Sequence, residues 1–390
     1  LYFDGNGRYL GENRSAITNK RDGWHQLTML DDLAKWPEAR HLSLALTLIG
    51  KGKAVFDDLE FTAFDAKKLP ANFEKDYAST PKHDPSLFDR WAGRWETTTE
   101  YKATAVTPAK TMKGETIVRK VLDDQFLLWQ WKDESGDSQY LSLLGFGENT
   151  GNYRFWVFGS TGEVFERSGQ WDEASQTLSL DVKATSPGIT GISTDRFADK
   201  DRLESMLLVK NAGGQITRDM RAIWARKAVP LPADIDLSDG PAAGSAELSL
   251  LQKMAGDWTI RSTAKPSVWE PRGKTETFTE QVAWTSGGRF LVFLAYDEKK
   301  QMTSLSLMTY EPEESSYHFW TFAKGVYGGQ WRITWDASSR AFHWRSVDMP
   351  VGWVGTGYNR WVDDDTFDNQ ALIKDENGRV LLDTTQEKRR

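Results

Sequence analysis

The sequence predicts an all-β protein, in which part of a β-sandwich precedes two tandem antiparallel β-domains that are copies of each other. One observation is a series of short segments with alternating apolar and polar residues, separated by turn signals at residues 149–152 and 211–214. Such even spacing of short strands is typical of antiparallel barrels and sandwiches, and not of βαβ units. The other observation is an internal repeat of domain length.

The repeat is clearest in two aromatic stretches, residues 143–158 and 307–322. One constant offset relates these stretches, and the same offset relates residues 125–226 to residues 289–390. The residues paired in this way include Tyr153 with Tyr317, Phe155 with Phe319, Trp156 with Trp320, Phe158 with Phe322, Trp171 with Trp335 and Arg226 with Arg390. A repeat of this length is a whole domain and not a solenoid unit.

Composition narrows the class of protein. The chain has 390 residues, of which 39% are hydrophobic and 27% charged, as in soluble globular proteins. No apolar run approaches the roughly eighteen residues of a membrane-spanning helix. The formal net charge of -7, with acids and bases interspersed, argues against nucleic-acid binding, which needs a concentrated basic surface. The 18 tryptophans indicate large cores or aromatic-lined pockets, and the absence of cysteine excludes disulfides.

Residues 1–66 alternate in the manner of β-strands. Gly-Trp at 23–24, Pro37 before a leucine-rich strand and the Gly-x-Gly to Phe segment at 50–61 resemble the closing strands of jelly-roll carbohydrate-binding modules. A jelly roll needs about eight strands and only about four are present, so the resemblance implies that the missing strands come from sequence upstream of Leu1 or from another chain.

Two features of this first segment have alternative interpretations. Trp24 and Trp36 are either sugar-stacking platforms or part of the sandwich core. Asp57 and Asp58 either bind calcium or lie solvated at the start of a strand.

Two segments rich in proline and small or polar residues, 67–86 and 228–246, are predicted linkers. They leave one repeat at 87–227 and the other at 247–390, and each repeat begins with a short helical turn followed by Gly-x-Trp. Strands of the first repeat are expected at about 94–104, 114–121, 125–132, 138–146, 152–158, 163–171, 176–183, 191–198, 202–210 and 215–225.

The helix, the Gly-x-Trp and an arginine on the last strand resemble the lipocalin-like (calycin) barrels. Each repeat is similar to an uncharacterised bacterial family of lipocalin-like domains, in motifs such as Leu251 to Trp258, the Arg-Phe-Leu at 289–291 and the Tyr-x-x-Trp at 317–320. The second repeat departs from the family pattern at 309–311, where Thr-Tyr-Glu replaces Gly-Tyr-Asp. The resemblance implies a structural lock at the base of each barrel, made of Gly93, Trp95 and Arg226 in the first repeat and Gly256, Trp258 and Arg390 in the second.

Motifs of catalysis or cofactor binding are absent from the sequence. There is no Gly-x-Ser-x-Gly elbow, no His-Glu-x-x-His and no phosphate-binding Gly-Lys-Ser/Thr, and the 5 histidines lack metal-ligand spacing. The acidic run 363–365 is more typical of a solvated hairpin turn than of a cation site. We therefore expect no catalytic residue, metal or cofactor.

A ligand site is predicted where aromatic residues of the second repeat lie among glycines, because glycine lets a ligand approach the backbone closely. The same glycines equally fit kinks that curve a small barrel. His318 shares a strand face with Trp320, as Arg154 does with Trp156, and these faces either line a lumen or are ordinary partly buried surface. The predicted site residues are His318, Trp320, Tyr327, Arg332, Trp335, Trp353, Tyr358, Arg154 and Trp156. Alternation also predicts that Phe342 and Trp344 point inward and that His343 and Arg345 point outward.

The favoured function is a secreted or periplasmic protein that binds a small hydrophobic or aromatic ligand in a barrel, with possible glycan attachment through the jelly-roll part. A calycin-type hydratase, cyclase or isomerase in the second barrel is the alternative, for which Asp348 and Glu280 are the candidate lumen acids. A third hypothesis is a structural or interaction module of a larger extracellular protein, which solidly filled lumens would favour.

Overall fold

The computed structural model describes residues 2–3, 9–11, 38, 41–42, 85–147, 151–184, 189–232, 234–237, 239–242, 245–323, 326–347 and 353–390. Near the N-terminus, β1 (Tyr2–Phe3) pairs antiparallel with β2 (Tyr9–Gly11) and β3 (His41–Leu42) in a small sheet. The predicted jelly roll, with Trp24, Trp36, Asp57 and Asp58, lies outside the described residues.

The first repeat forms a closed barrel of ten antiparallel strands, each paired with its neighbours in sequence. The meander closes where the last strand pairs with the first, with Trp95 opposite Arg226. The helix α1 (Pro85–Trp91) precedes the strands β4 (Gly93–Tyr101), β5 (Lys110–Val121), β6 (Phe126–Asp133), β7 (Gln139–Gly147), β8 (Asn152–Gly159), β9 (Val164–Asp172), β10 (Thr177–Ala184), β11 (Thr190–Asp199), β12 (Arg202–Lys210) and β13 (Ile216–Lys227).

The second repeat forms a second closed barrel of ten antiparallel strands with the same meander. Its entry helix begins at Ser245, whose hydroxyl accepts a hydrogen bond from the Leu248 amide and so caps the helix. The elements are α2 (Ala246–Leu251), a 3₁₀ turn (Gln252–Met254), β14 (Gly256–Ala264), β15 (Lys274–Thr285), β16 (Phe290–Tyr296), β17 (Met302–Glu311), a 3₁₀ turn (Pro312–Glu314), β18 (Ser316–Ala323), β19 (Val326–Asp336), β20 (Ala341–Ser346), β21 (Val354–Trp361), β22 (Thr366–Lys374) and β23 (Val380–Arg389).

The prediction of an all-β chain with two tandem antiparallel barrels is confirmed. All ten strands expected in the first repeat are present, although β5 begins at Lys110 and not near residue 114. Lys110, Thr111 and Lys113 are polar and exposed and only Met112 between them is apolar, so this end of the strand gives little alternating apolar signal.

A helix closes one end of each barrel. In the first barrel Leu87, Phe88 and Trp91 are fully buried, and the Trp91 ring contacts Trp129 and Phe197, with centroids 6.2 and 5.3 Å apart. The end of each barrel that carries the helix is called the closed end below, and the opposite end is called the mouth.

The tryptophan of each Gly-x-Trp lies beneath an arginine of the last strand. The Arg226 guanidinium carbon is 4.1 Å from the centre of the Trp95 ring, and that of Arg390 is 4.8 Å from Trp258. Both arginines donate hydrogen bonds to carbonyl oxygens that follow the entry helix. A Cβ on Gly93 would lie 2.5 Å from Arg226 Nη1, and Gly93 has a φ of +145°, so a larger residue does not fit.

The outer faces of the two barrels pack against each other through one apolar cluster. Its members lie mainly on β6 to β8 of the first barrel and β16 to β18 of the second. Phe126 contacts Phe322 with centroids 5.8 Å apart, and Phe158 contacts Phe290 with centroids 5.4 Å apart. These contacts correspond under the repeat offset, so the interface is isologous, as in a twofold dimer.

Candidate functional site

Several predicted site residues face away from the lumens. Tyr317 and Phe319 belong to the core of the second barrel, so the alternate residues His318 and Trp320 point outward. Trp320 lies in the interface between the barrels, and its ring is 5.2 Å from that of Phe158. These residues therefore do not line a lumen.

The corresponding residues of the first barrel behave in the same way. Trp156 belongs to the interface cluster, and its ring lies 4.9 Å from that of Phe322. Arg154 stacks on Trp156, with 4.7 Å between the guanidinium carbon and the ring centre, and forms an ion pair with Glu166 at 2.6 Å.

His318 lies within an outward-facing polar cluster. Its Nε2 is 2.6 Å from Arg332 Nη1 and 3.1 Å from Glu314 Oε2, and Arg332 also contacts Glu314. Burial lowers the pKa of His318 below its ordinary value, and the negative charge of Glu311 opposes that shift. The cluster is a polar network on the outer wall in which His318 is buried, Arg332 is half-buried and Glu314 is exposed.

The remaining predicted residues are separated from one another. Trp335 packs in the core against Phe342, with centroids 4.6 Å apart. Trp353 contacts Trp269 at 5.4 Å, and Tyr358 faces His343 at 6.5 Å on the outer surface. Tyr327 lies in β19, but its side chain is outside the described part of the chain, as is Asp348.

The glycines of the second barrel accommodate indoles. A Cβ on Gly355 would lie 2.8 Å from Trp331, and a Cβ on Gly357 would lie 2.2 Å from Trp344. The rings of Trp331 and Trp344 also contact each other, with centroids 4.9 Å apart. The predicted inward direction of Phe342 and Trp344 is confirmed by their place in the core.

Most polar side chains inside the second barrel have partners. Glu280 and Lys388 form an ion pair at 2.8 Å, with side chains 11% and 15% exposed. Asn369 donates a hydrogen bond to Asn359 on the neighbouring strand. Trp361 Nε1 is the one donor in the described core of the second barrel that is buried without a partner.

The lumen of the first barrel is different, because it contains buried hydrogen-bond donors without acceptors. Strand alternation turns the strand residues among them inward, between core residues such as Val118, Phe155 and Leu180, and Trp91 enters the same core from the helix α1. The donor atoms without a hydrogen-bond partner are Trp91 Nε1, Thr116 Oγ1, Trp129 Nε1, Arg167 Nε, Ser193 Oγ and Trp224 Nε1. Each buried donor left unpaired costs about 1–3 kcal/mol, so water or a bound molecule is needed to satisfy this set.

These unpaired donors are deeply placed. Thr116, Ser193 and Trp129 are only 0%, 3% and 5% exposed. The indole rings of Trp91, Trp129 and Trp224 are successive neighbours, with centroids 6.2 and 5.4 Å apart. The unpaired groups therefore belong to one connected region of the interior.

A buried acid and base lie in the same lumen. Asp195 is 6% exposed and accepts a hydrogen bond from the Ser205 hydroxyl. Burial raises the pKa of Asp195, while Ser205 and the positive charge of Arg167 oppose that shift. Burial likewise lowers the pKa of Arg167 to about 10, which leaves the guanidinium charged at neutral pH.

The mouth of the first barrel is lined by tyrosines and charges. Tyr140 donates a hydrogen bond of 2.9 Å to Glu163 Oε1, in the turn between β8 and β9. Burial, together with the negative charge of Glu163, raises the pKa of Tyr140. Arg218 lies over the Phe165 ring at 5.2 Å, and its charge lowers the pKa of Tyr101 and Tyr140 against the effect of burial.

The repeat supplies an internal comparison between the lumens. At equivalent positions the first barrel has Thr116, Arg167, Ser193, Trp224 and Arg218, and the second has Glu280, Trp331, Gly357, Lys388 and Leu382. At these positions the second barrel has the Glu280–Lys388 ion pair or residues without a charge. The first barrel has Thr116, Arg167, Ser193 and Trp224 there, each with a donor that lacks a partner. The first lumen is therefore the candidate functional site.

Sequence reasoning missed this site because it weighted the glycine-rich aromatic cluster of the second repeat. The useful signal was the difference between the repeats at inward positions. An arginine at 167 where the other copy has a tryptophan, on a strand whose alternate residues are aromatic, is unusual for a filled core. Residues of β9 and β19 can be compared in this way because the constant offset between the two copies pairs them one by one.

Two open surface clefts lie elsewhere. One of about 500 Å³ lies at the closed end of the first barrel beside Phe197 and Arg226, and one of about 760 Å³ lies between the barrels beside Tyr296. Neither includes the unpaired donors of the first lumen.

Residues 80–226 match a family model described as a protein of unknown function (DUF1579), which covers less than half of the chain. No curated protein matches the chain.

Among solved structures, a protein of unknown function from the DUF3598 family of Nostoc punctiforme is 11% identical, with a TM-score of 0.27, and the match covers 79% of this chain and 99% of that one. An S-type phycobiliprotein lyase from Guillardia theta is 12% identical, with a TM-score of 0.27 and coverage of 40% and 99%. Rv2717c from Mycobacterium tuberculosis is 14% identical, with a TM-score of 0.31 and coverage of 37% and 99%. Likenesses this distant assign neither a ligand nor an activity.

Metal-ligand groups and membrane-spanning helices are two further features that bear on function. Among the described residues no group of three or more histidines and acids is placed to hold a metal ion. No helix in the described part of the chain has the length and apolarity needed to span a membrane.

Proposed function

We propose that the protein binds a small molecule in the lumen of its first barrel, and that the second barrel has a structural role. One observation carries the proposal: six buried donors of the first lumen lack acceptors. Water or a ligand must supply those acceptors, because leaving them unpaired would destabilise the fold by several kcal/mol in total.

The surroundings of these donors favour a ligand with an apolar or aromatic part. Rings of Trp129, Phe155 and Trp224 form the wall around the polar layer, with Trp129 5.0 Å from Phe155 and 5.4 Å from Trp224. Ligand sites are typically apolar with a few placed polar groups, as here.

The second barrel supports a structural role by contrast. Glu280 pairs with Lys388 and Asn369 with Asn359, Trp361 Nε1 alone of its described core donors lacks a partner, and its indoles fill the space that the glycines leave. An enzymatic role there has less support, because the carboxylate of Glu280 already forms an ion pair with Lys388. The extracellular or periplasmic setting and the glycan attachment stay predictions from the sequence.

The test uses a variant that copies the second barrel into the first. Arg167→Trp installs the indole that Trp331 provides at the equivalent position. Titration calorimetry with a panel of phenylalkyl acids, amides and amines should show one-to-one binding to the wild-type protein and none to the variant. Circular dichroism and thermal melting establish that the variant is folded.

Trp331→Phe is the matched control in the second barrel and should leave binding unchanged. Two equivalents bound per chain, or binding that survives Arg167→Trp in a folded protein, would contradict the proposal.

A further inference from the structure

We infer that the ligand of the first barrel is an organic carboxylate, whose anionic oxygens are bound by Arg167 and Arg218. This inference deepens the proposed function and rests on it, because it assigns chemistry to the same lumen. The donors, the charges and the apolar walls of that lumen support it.

Nearly all of the unpaired buried groups of the first lumen are donors. Three indole N–H groups, a guanidinium Nε–H and two hydroxyls lack hydrogen-bond partners. Among the described residues near the mouth, Glu163 Oε2 is the only buried group without a partner that can act solely as an acceptor. The indoles and the guanidinium can only donate, so a ligand that satisfies them must offer acceptors. A carboxylate meets this requirement, since an ionised carboxylate offers only acceptors.

The positive charges of the lumen are incompletely balanced. Within the described residues, no carboxylate oxygen lies within 4.0 Å of the guanidinium group of Arg167 or of Arg218. Asp195 is the acid whose charge acts on Arg167, but its carboxylate accepts its hydrogen bond from the hydroxyl of Ser205. A ligand anion would supply the direct partner that both arginines lack.

Each arginine is held by an aromatic face that leaves its N–H edge available. The guanidinium carbon of Arg167 is 5.5 Å from the centre of the Phe155 ring, and that of Arg218 is 5.2 Å from the Phe165 ring. Stacking of this kind fixes the plane of the group while its donors remain directed along the edge. The positive charge of Arg218 also lowers the pKa of Arg167.

The walls between the arginines and the mouth are apolar, which favours an organic acid over an inorganic anion. Val182, Leu207 and Val209 form a small buried cluster there. The half-buried residues packed against that cluster are Phe165, Ile189 and Met220. A carbon chain or ring of the ligand would bury its surface on these side chains, at about 25 cal/mol per Å².

The second barrel lacks this pair of arginines. Trp331 and Leu382 stand where the first barrel has Arg167 and Arg218, so no pair of cations faces its lumen at those positions. The same fold is therefore present in one chain with and without the anion-binding pair.

The experiment measures charge preference at one site. Phenylbutyrate, phenylbutyramide and phenylbutylamine share one apolar body and differ in the charge of the head group. Titration calorimetry at neutral pH should show that the wild-type protein binds the acid at least about tenfold more tightly than the amide, equivalent to about 1.4 kcal/mol, and the amine more weakly still.

Arg167→Met and Arg218→Met should each remove most of the preference for the acid. Arg221→Met is the matched control, because Arg221 lies on the same strand β13, is exposed and pairs with Glu204 at 3.8 Å on the outer face. A preference that persists in Arg167→Met and Arg218→Met, or that Arg221→Met removes equally, overturns the inference.

The failure of this inference is distinguishable from failure of the proposed function. If the amide binds the lumen as tightly as the acid, the lumenal site stands and the carboxylate assignment is wrong. If none of the three compounds binds, both are contradicted. Arg167→Lys gives a second readout, because it keeps the charge and should keep more of the acid preference than Arg167→Met does.

Discussion

Phe158 packs edge-on against Trp320 across the barrel interface, with ring centroids 5.2 Å apart and ring planes at 68°. The equivalent contact, between Phe322 and Trp156, has centroids 4.9 Å apart and planes at 70°. The duplicated domains thus meet through the same surface on each copy, as the subunits of a twofold dimer do. The interface explains why these aromatic stretches are so similar in sequence between the two copies.

Removal of either phenylalanine should destabilise the protein to a similar extent. Phe158→Ala and Phe322→Ala each delete a fully buried ring, which costs about 3–5 kcal/mol in typical cores. Chemical denaturation followed by circular dichroism measures the change. Val106→Ala, at an exposed side chain, is the control and should change stability by less than about 0.5 kcal/mol. A large difference between the two phenylalanine variants would contradict the equivalence of the two sides.

The ion pair inside the second barrel makes a double-mutant prediction. Glu280→Gln or Lys388→Met alone leaves a buried charge without its partner and should cost about 3 kcal/mol or more. The double variant removes both charges and should recover most of that loss. Urea unfolding of the four proteins measures the coupling energy. Losses that simply add in the double variant would show that the two residues do not depend on each other.

Gly357 should be intolerant of any side chain. Its added Cβ would lie 2.0 Å from the Gln370 carbonyl oxygen and 2.2 Å from Trp344, so Gly357→Ala must displace backbone or an indole. Overpacking of this kind costs about 1–3 kcal/mol, and we expect a lower melting temperature. Gly240→Ala is the control, because nothing lies within 4 Å of its added Cβ. Equal melting temperatures for Gly357→Ala and the wild-type protein would contradict the packing described here.

His318 should make stability fall at mildly acidic pH. Burial lowers its pKa in the folded state, so the unfolded chain takes up the proton first as pH falls through about 6.5. The stability that this histidine contributes is therefore present above that pH and is lost below it. We expect the free energy of unfolding to fall less between about pH 7 and pH 5 in His318→Gln than in the wild-type protein.

His343→Gln, at an exposed histidine, is the control for this pH dependence and should leave the slope unchanged. An identical slope in His318→Gln and the wild-type protein would show that His318 is not the responsible group.

Much of the fold was accessible from the sequence, because it follows from periodicity. Alternation along each strand and the constant offset between copies gave the two barrels, and the same alternation put Phe342 inward and His343 outward. The start of β5 was missed because Lys110, Thr111 and Lys113 are polar and exposed, so a single apolar residue, Met112, gives too little of a period of two.

The candidate site was harder to predict than the fold, because it depends on which face of a strand is the lumen. Strands β8 and β18 have apolar residues on both faces. One face of each strand fills the core of its own barrel, and the other packs against the other barrel. Alternation alone does not separate those faces. The sequence therefore left two alternatives for His318 and Trp320, a lumen or ordinary partly buried surface, and both residues lie on the outer wall.

The unpaired state of the lumen donors was not predictable from residue types alone. Thr116, Ser193 and Trp224 are ordinary barrel residues in a sequence, and only the three-dimensional arrangement shows that no acceptor reaches them. The contrast with the second copy, where Glu280 and Lys388 occupy two of the same positions, gives that observation its weight.

The most direct measurement of the central claim is the NMR spectrum of the tryptophan indole N–H groups in isotope-labelled protein, recorded during titration with phenylbutyrate. The signals of Trp129 and Trp224 should shift, because these indoles lack acceptors until a ligand supplies them. Those of Trp258 and Trp284, which already donate to the Met254 carbonyl and to Gln252, should stay in place. Saturable shifts confined to the first pair would support a lumenal site in the first barrel, and shifts confined to the second pair, or none in either, would contradict it.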